Sequence, residues 1–288
     1  MSIVLLNQST QHEYSGFTAK QLLLKFPNAA FTTARTFQRS KILCFSHHVS
    51  RLITSSKGAI DSHHLPSEDL LQKQIRLTFS SAILSASDVI HSSEELRITI
   101  IVTFFDDKLL YISHTAALPP LPKSPITVRA QPYQRPHAEL KTTAWVAERQ
   151  RLEQHINDSV HEVVLFEPRS DGNFLYEGLS SNVFGLVKVN SQVILQTCRE
   201  GLVLGGTIRR MVMKAAESIG IVVEEECPQI SESLEALFIT STSRLVLPVG
   251  VLIDDGHEFL LNSQENEWVC KLMKRVMYLI DEESELVV

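Results

Sequence analysis

The sequence predicts a mixed α/β fold in two domains. In residues 1–117, runs of β-branched residues occur among helix-like segments, which is typical of a small α/β domain. The stretch AALPPLPKSPIT then holds four prolines, each of which fixes φ and removes a backbone donor, and it predicts an interdomain linker at residues 118–125. Apolar and polar residues alternate in parts of residues 126–288, which predicts a larger, sheet-rich domain with a few helices.

The first domain is expected to contain two β-rich segments and two helical ones. Their β-branched residues favour strands in KILCFSHHVSRLITSS, residues 41–56, and in residues 96–113. The tripeptide DDK, residues 106–108, interrupts the second of these segments and predicts a hairpin turn. Residues 11–26 and 67–83 have a helix-like pattern of apolar residues.

The second domain begins with a clear strand pattern and ends with a helical one. In residues 174–197, alternation of apolar and polar residues around Val-Asn-Ser, residues 189–191, predicts two strands joined by a turn. Near the C-terminus, residues 266–280 place four large apolar side chains on one helical stripe, which is typical of a core or docking surface: Trp268, Leu272, Val276 and Leu279.

Composition and charge exclude several classes of protein. A formal net charge of −6 without a long basic stretch argues against a nucleic-acid partner, because binding to phosphates relies on clustered Lys and Arg. No segment approaches the roughly 20 consecutive apolar residues of a membrane helix. The apolar stretch at residues 3–6 has neither a preceding basic residue nor a cleavage pattern, so we expect no secretory signal and a cytoplasmic location.

Four cysteines are widely separated in the sequence: Cys44, Cys198, Cys227 and Cys270. They form no CxxC pair, and no histidine stands at metal-ligand spacing beside them. We therefore expect isolated thiols and no bound metal.

A short glycine pair precedes the best helix signal of the second domain. TIRRMVMKAAESIG, residues 207–220, has one apolar face, with Thr207 as a plausible N-cap and Gly220 just past its end. Gly205 and Gly206 stand directly before it, where free backbone N–H groups and the positive helix end favour an anion such as phosphate. An ordinary tight loop would show the same two glycines.

Three further stretches contain polar residues that could belong to an active site. Each has an ordinary structural explanation by itself, and they indicate a catalytic site only when they are considered together. EGLSSNVFG, residues 177–185, and TSTSRLVLPV, residues 240–249, are each also typical of a polar turn between strands. In AELKTTAWVAERQRLE, Lys141 precedes a predicted helix with Thr142 or Thr143 as cap and 144–152 as body. A positive helix end disfavours the charged form of a nearby lysine, and a neutral amine can condense with an aldehyde.

Taken together and in this order, the four stretches resemble the fold type IV, or class IV, pyridoxal-phosphate enzymes. This family includes branched-chain aminotransferases, D-amino-acid aminotransferases and aminodeoxychorismate lyases. The resemblance extends from about Phe31 to about Val249 and is strongest after the predicted linker. It implies an enzyme in which pyridoxal 5'-phosphate lies between a smaller N-terminal α/β domain and a larger C-terminal one.

The resemblance assigns the two residues that face the reactive parts of the cofactor. EGLSSNVF is similar to the family pattern E-x-x-x-x-N-[ILV]-F, which places Glu177 opposite the pyridine nitrogen and Asn182 in the loop around the ring. Lys141 matches the lysine that binds the cofactor and then moves the substrate Cα proton. The chain departs from many family members at residues 142–146, because no tyrosine follows the lysine there.

The resemblance also assigns a phosphate site. LGGTIR is similar to the family's L-x-G-[IV]-[TM]-R loop, so Gly206, Thr207 and Ile208 are expected to bind the phosphate through backbone N–H groups. Thr242 matches the hydroxyl residue of the second phosphate loop. In the first domain, HHVSRLITSS resembles H-[IVL]-x-R-L-x-x-S and makes Arg51 the phosphate arginine.

Transamination between an amino acid and a 2-keto acid is the leading functional hypothesis. The alternative is elimination of pyruvate from an aminodeoxychorismate-like substrate, because AFTTAR, residues 30–35, resembles such lyases and offers Thr32 or Thr33 for proton transfer. A third possibility is a protein that binds the cofactor without turnover. Arg97 and Arg244 are candidate partners of a substrate carboxylate, and the family implies a homodimer.

Overall fold

The computed structural model describes residues 2–10, 14, 16–87 and 89–287, which form two compact units. The first unit comprises Met1–Pro120, Leu140–Glu148 and Ile280–Val288, and the second comprises Leu121–Glu139 and Arg149–Leu279. The first unit therefore includes two short segments that follow the predicted linker in sequence.

The described residues form helices and strands in a mixed order along the chain. The helices are α1 (Ala19–Lys25), α2 (Phe45–Ala59), α3 (Glu68–Ala86), α4 (Thr143–Glu148), α5 (Gln150–Glu153), α6 (Thr207–Ser218) and α7 (Glu267–Glu282). The strands are β1 (Ser2–Leu6), β2 (Ser9–Thr10), β3 (Ala30–Phe37), β4 (Lys41–Leu43), β5 (Leu96–Phe105), β6 (Lys108–Ala117), β7 (Ile126–Pro132), β8 (Glu162–Arg169), β9 (Gly172–Gly178), β10 (Asn182–Val189), β11 (Gln192–Gln196), β12 (Val222–Glu224), β13 (Leu234–Ser241), β14 (Leu245–Asp254), β15 (His257–Leu260) and β16 (Ser284–Leu286).

The first unit is built on a seven-stranded sheet in the order β16-β4-β3-β5-β6-β1-β2. Its longest pairing is the β5–β6 hairpin, whose turn residues Asp106 and Asp107 have φ values of 50° and 54°. Two positive φ values are typical of a type I′ turn, so the hairpin predicted from DDK is confirmed. Alternate side chains of β5 point to opposite faces, with Ile98 and Ile100 in the core beside α2 and α3, and Ile101 in the core beside α1.

The prediction of strands throughout residues 41–56 is wrong. Only β4 is a strand there, and the residues from Phe45 onward form α2. Phe45, Val49 and Leu52 recur at helical spacing and are all buried, so the packing of one helix face overrides the strand preference of the β-branched residues. The helix predicted at residues 67–83 is confirmed as α3.

The helix predicted in residues 11–26 is confined to α1. Thr18 caps it with a reciprocal pair of hydrogen bonds to Gln21, a capping box that fixes the helix start. Residues 11–13 and 15 of that predicted segment lie outside the described residues.

The second unit is built on a nine-stranded sheet in the order β12-β11-β10-β13-β14-β7-β8-β9, with β15 paired to β14. Strand β9 also pairs with β10 through Glu177 and Asn182. The strands β10, β13, β14, β7, β8 and β9 therefore form a closed ring, and its apolar residues make one buried cluster. Glu177 and Asn182 are the pair that closes this ring.

The helix at residues 207–218 is confirmed, with a corrected start. Its N-cap is Gly206, and Thr207 is the first helical residue. Gly220 follows the helix end with a φ of +77°, as expected for a glycine that terminates a helix. The turn at Asn190 and Ser191 and the C-terminal helix, observed as α7, are confirmed as well.

The single helix predicted at residues 144–152 is two short helices, α4 and α5. The chain passes from the first compact unit to the second between Glu148 and Arg149, so a continuous helical pattern in the sequence is divided between two packing environments. Val146 is fully buried in the core of the first unit, whereas Arg149 donates to the carbonyl of Leu179 in the second.

The expectation of isolated thiols is wrong for two of the cysteines. Cys198 and Cys227 form a disulfide with a Cα–Cα distance of 4.1 Å, whereas Cys44 and Cys270 are not disulfide-bonded. Strands β11 and β12 are parallel neighbours, so their ends bring together two residues that are 29 positions apart in sequence. Sequence spacing does not reveal this adjacency.

Replacing Cys227 with serine is expected to lower the free energy of unfolding by about 3 kcal/mol, because the disulfide restricts the unfolded chain. Urea unfolding of the oxidised protein and of the variant measures this difference, with Cys270→Ser as the matched control. Wild-type protein unfolding at the same urea concentration with and without dithiothreitol would contradict the expectation.

None of the helices in the described part of the chain is long and apolar enough to cross a membrane.

Candidate active site

Lys141 lies along the open edge at the start of β3, where β4 does not pair with this strand. Its carbonyl accepts a hydrogen bond from Phe31 N at 3.0 Å, and its own N–H donates to Ser55 Oγ at 3.0 Å. Thr142 continues along this edge by pairing with Ala30. The Lys141 ammonium lies 4.7 Å from the centre of the Phe31 ring. Backbone contacts on both sides therefore fix the base of this side chain independently of its amine.

Helix α2 places His48 and Arg51 on one face, against Thr32. The Thr32 hydroxyl accepts a hydrogen bond from Arg51 Nη2 at 2.9 Å and lies 2.8 Å from His48 Nδ1. All three residues are buried. Burial, followed by the charges of Arg51, His47 and Lys141, holds the pKa of His48 well below its ordinary value. His48 is therefore neutral at physiological pH, and Arg51 carries the positive charge of this cluster.

The opposite face of the same sheet carries a second polar cluster. Thr33 and Thr99 are paired across β3 and β5, and their hydroxyl oxygens are 3.2 Å apart. Arg35 and Arg97 form the next pair along on that face, because they are directly opposite each other. Burial lowers the pKa of both guanidinium groups. Like charges opposite each other on a sheet destabilise it, and the charge of Glu95 acts on Arg35 but is no cause of the Arg97 shift, so Arg97 is suited to an anion.

In the second unit, Glu177 is a buried carboxylate with two strong donors. Arg135 Nη1 donates to its Oε1 at 3.1 Å, and the backbone N–H of Leu204 donates to its Oε2 at 3.1 Å. The side chain of Glu177 is 4% exposed and that of Arg135 is 5% exposed. A buried carboxylate with a charged partner and a backbone donor is stabilised in its ionised form. Sequence reasoning missed Arg135, which belongs to none of the recognised patterns.

Asn182 connects the pair that closes the strand ring to the loop that precedes α6. Its Nδ2 donates to the carbonyl of Leu204 at 2.8 Å, so this loop is held by Glu177 on one side and Asn182 on the other. A Cβ atom on Gly206 would overlap Asn182 Oδ1, so only glycine allows this approach of backbone to side chain. The loop therefore leads directly from the Glu177 carboxylate to the helix N-terminus.

The residues at this helix start suit a phosphate. The first turn of α6 presents the N–H groups of Thr207 and Ile208, and helix starts favour negative charge. The hydroxyl of Thr207 is buried and has no hydrogen-bond partner among the described residues, and the same holds for Thr240. Thr240 is paired with Asn182 across β10 and β13. A bound phosphate would satisfy such hydroxyls, which cost free energy when they are buried unpaired.

The predicted second phosphate residue, Thr242, lies in the turn between β13 and β14 and is partly exposed. Thr240, two positions earlier in the quoted TSTSR stretch, is the buried hydroxyl that sequence reasoning missed. Arg244 in the same turn donates from Nη2 to Glu162 at 2.6 Å. Glu162 is a further buried carboxylate outside the sequence patterns.

The structure thus groups the predicted residues by unit. In the first unit, Lys141, Thr32, Thr33 and Arg51 all lie on or beside β3, and Arg97 lies on the neighbouring β5. In the second unit, Glu177 and Asn182 close the ring next to Gly206, Thr207 and Ile208, and Thr242 and Arg244 follow β13. The role of each residue toward a cofactor remains a prediction.

Comparisons with known proteins identify the family. The model of the amino-transferase class IV family matches residues 29–252. No curated protein is a significant match to the chain by sequence. The structure resembles a putative branched-chain amino acid aminotransferase from Thermotoga maritima, with 22% identity, a TM-score of 0.70 and 98% of each chain covered.

A hypothetical aminotransferase from Mycobacterium tuberculosis is also similar to the structure. Its PLP-bound form has 15% identity and a TM-score of 0.73, with 98% of this chain and 100% of that chain covered. Its form with alpha-ketoglutarate and PMP bound has 14% identity and a TM-score of 0.70, with 97% and 99% covered.

The chain therefore belongs to the class IV aminotransferase family. Both the family and the mixed α/β fold of type IV that the sequence predicts are confirmed.

Proposed function

We propose that this protein is a pyridoxal-phosphate-dependent aminotransferase that moves an amino group between an amino acid and a 2-keto acid. The observation that carries the proposal is the buried Glu177 carboxylate, which accepts hydrogen bonds from Arg135 Nη1 and from the Leu204 N–H. A protein that only stored the cofactor would not need a buried negative charge to match a protonated ring nitrogen. Membership of the class IV family supports the same assignment.

The residues present fit the cofactor at each of its ends. Thr207 and Ile208 at the start of α6 would bind the phosphate through N–H groups, and the buried hydroxyl of Thr207 would gain a partner. Arg51 and Thr242 are proposed as additional phosphate donors by family resemblance. The Glu177 carboxylate would accept a hydrogen bond from the protonated pyridine nitrogen and so favour its protonated form.

The chemistry divides between the cofactor and the chain. Pyridoxal phosphate, when bound, supplies an aldehyde carbon and a ring that withdraws electrons from the substrate Cα. Lys141 would hold the cofactor through Nζ, and once released, this amine would take the Cα proton and return it as general base and acid. Glu177 would keep its negative charge throughout, because Arg135 and Leu204 N–H hydrogen-bond to its ionised form.

The Arg35 and Arg97 pair supports a substrate with a second carboxylate. These two guanidinium groups lie on the sheet face that also carries Phe31, whose ring contacts Lys141. We propose that a dicarboxylic 2-keto acid is the amino-group acceptor, as alpha-ketoglutarate is bound by the similar protein from Mycobacterium tuberculosis. Arg244, the other candidate from the sequence, donates to Glu162 and Ser241 instead, so Arg97 is the proposed partner of the second carboxylate.

Elimination of pyruvate is the second candidate function, and one observation favours it. Thr33 lies on the same sheet face as Phe31, two residues further along β3, and its hydroxyl pairs with Thr99. Thr32 points to Arg51 instead. Thr33 is therefore the better placed of the two for a proton transfer near Lys141.

By family resemblance alone, we also propose that the protein works as a homodimer.

The function is tested by mixing the cofactor-loaded protein with a panel of L- and D-amino acids. Transfer of the amino group to alpha-ketoglutarate, with a matching change in cofactor absorbance, is the expected result. Pyruvate release without an acceptor would instead establish the lyase. A protein that binds no pyridoxal phosphate would overturn both candidates.

Replacing Arg97 with leucine is expected to raise the KM for alpha-ketoglutarate by about 10- to 100-fold, because a charged hydrogen bond to the second carboxylate is lost. Initial rates over a range of acceptor concentrations measure the change. Pyruvate, which lacks the second carboxylate, is the internal control, and its KM should change little. An equal rise for both acceptors would contradict a role in recognising the second carboxylate.

A further inference from the structure

A buried carboxylate lies directly under the turn that joins β9 to β10. Glu162 is the first residue of β8 and is 1% exposed. The turn approaches it so closely that a Cβ atom on Gly178 would be 3.1 Å from Glu162 Cγ. This turn, residues 178–181, follows Glu177 and precedes Asn182, the two residues that close the ring.

Three side-chain donors converge on one oxygen of this carboxylate. Ser180 Oγ donates to Glu162 Oε2 at 3.0 Å, and Ser181 Oγ donates to the same oxygen at 3.2 Å. Arg244 Nη2 donates to it at 2.6 Å, a short hydrogen bond between a positively charged donor and a carboxylate oxygen. The two serines of the EGLSSNVFG stretch thus face Glu162.

Arg244 connects this turn to a second one. Besides Glu162, its Nη2 donates to Ser180 Oγ at 2.9 Å, and its Nε donates to Ser241 Oγ at 3.2 Å. Ser241 ends β13, and residues 242–244 form the turn before β14. A single guanidinium therefore ties the turn beside Glu177 to the turn that holds Thr242.

The ion pair of Glu162 and Arg244 is not an effective way to raise the free energy of unfolding. The Glu162 side chain is buried and that of Arg244 is only 18% exposed, so the pair loses much of the hydration of its charges, and well-packed apolar side chains often give equal or greater stability. What the pair supplies is one defined geometry, because a planar guanidinium and a carboxylate with two hydroxyl donors fit together in few ways.

We propose that Glu162 and Arg244 are positioning residues that lock the 178–181 turn to the 242–244 turn. Through the first turn the pair fixes the Glu177 carboxylate, and through the second it fixes Thr242. Neither Glu162 nor Arg244 needs to touch the cofactor for this role. The proposal rests on the proposed function, in which Glu177 and Thr242 face pyridoxal phosphate.

The test measures cofactor binding rather than turnover. The dissociation constant for pyridoxal phosphate and the circular dichroism of the bound cofactor are recorded for Glu162→Gln, Arg244→Gln, the double variant and the conservative Arg244→Lys. Glu167→Gln is the matched control, because Glu167 lies on the same strand and hydrogen-bonds Tyr176 away from this cluster.

Each single glutamine variant is expected to weaken binding by about tenfold and to change the circular dichroism of the cofactor. The double variant should bind pyridoxal phosphate about as tightly as the single variant with the lower affinity, because both substitutions remove the same contact between Glu162 and Arg244. Arg244→Lys should recover part of the affinity, and Glu167→Gln should match the wild type. Wild-type affinity and spectra in both single variants, or fully additive losses in the double variant, would overturn the proposal.

A second measurement separates this proposal from the proposed function. Hydrogen exchange of the peptide covering residues 177–182 needs no cofactor and is expected to be about tenfold faster in Glu162→Gln than in the wild type. If the wild type binds no pyridoxal phosphate, the proposed function fails, and the exchange rates still decide whether the lock exists. An unchanged exchange rate in this peptide would show that Glu162 does not hold the 178–181 turn in place.

Discussion

The Lys141→Ala variant is expected to lose amino-group transfer activity by about 1,000-fold or more, because it removes the amine that we propose as general acid and base. The absorbance that borohydride removes from the cofactor-loaded wild type should also be missing from the variant. Initial rates with the best donor and alpha-ketoglutarate, and spectra before and after reduction, measure the two effects.

The fold of this variant should be preserved, which makes its loss of activity interpretable. The backbone bonds of Lys141 to Phe31 and Ser55 do not involve the amine, and the contact of Nζ with the Phe31 ring contributes only about 0.5–1 kcal/mol. Lys108→Ala, at an exposed hairpin of the same unit, is the matched control. Activity and reducible absorbance that persist in Lys141→Ala would show that a different lysine carries the chemistry.

The Glu177→Gln variant is expected to lower kcat by about 100- to 1,000-fold, a loss similar to that from removing one electrostatic group in other active sites. Glutamine has nearly the same shape and can still accept from the Leu204 N–H, but it offers no negative charge to the ring nitrogen. Turnover at saturating cofactor and substrate measures the effect. Full activity in this variant would exclude the proposed role of Glu177.

The same substitution has a predictable cost in stability. It removes one charge of a buried pair with Arg135, and breaking such a pair typically costs about 3–5 kcal/mol. Urea unfolding of the cofactor-free protein measures this cost, and Glu167→Gln, which alters a partly exposed carboxylate, serves as the comparison. Equal stability of Glu177→Gln and the wild type would show that Arg135 does not depend on this charge.

Features that depend on neighbouring residues in the chain were predictable from the sequence. The DDK hairpin, the helix beginning near Thr207 and the polar stretch around Glu177 each have a local pattern with a physical cause, such as φ preference or helix period. Segment 41–56 shows the limit of this approach. Its β-branched residues favour a strand, but burial of one helical face determines the outcome.

The missed features depend on strand pairing between distant segments. Arg135 is hydrogen-bonded to Glu177, which is 42 positions away in the sequence. Arg244 is hydrogen-bonded to Glu162, which is 82 positions away. The Cys198–Cys227 disulfide requires that β11 and β12 be parallel neighbours. A single sequence shows neither the order of strands in a sheet nor the partner of an isolated charged residue, so these residues are recognisable only in the folded chain.

The closed ring of six strands limits how this protein can change over evolution. Its last link is the single pair of Glu177 and Asn182, and the four residues between them form the turn that rests on Glu162. Insertions at outer hairpins such as residues 190–191 can accumulate without disturbing the ring. We expect a residue added between Glu177 and Asn182 to break this pair and to displace the Glu177 carboxylate at the same time, so closure of the ring and placement of the carboxylate both depend on the length of this turn.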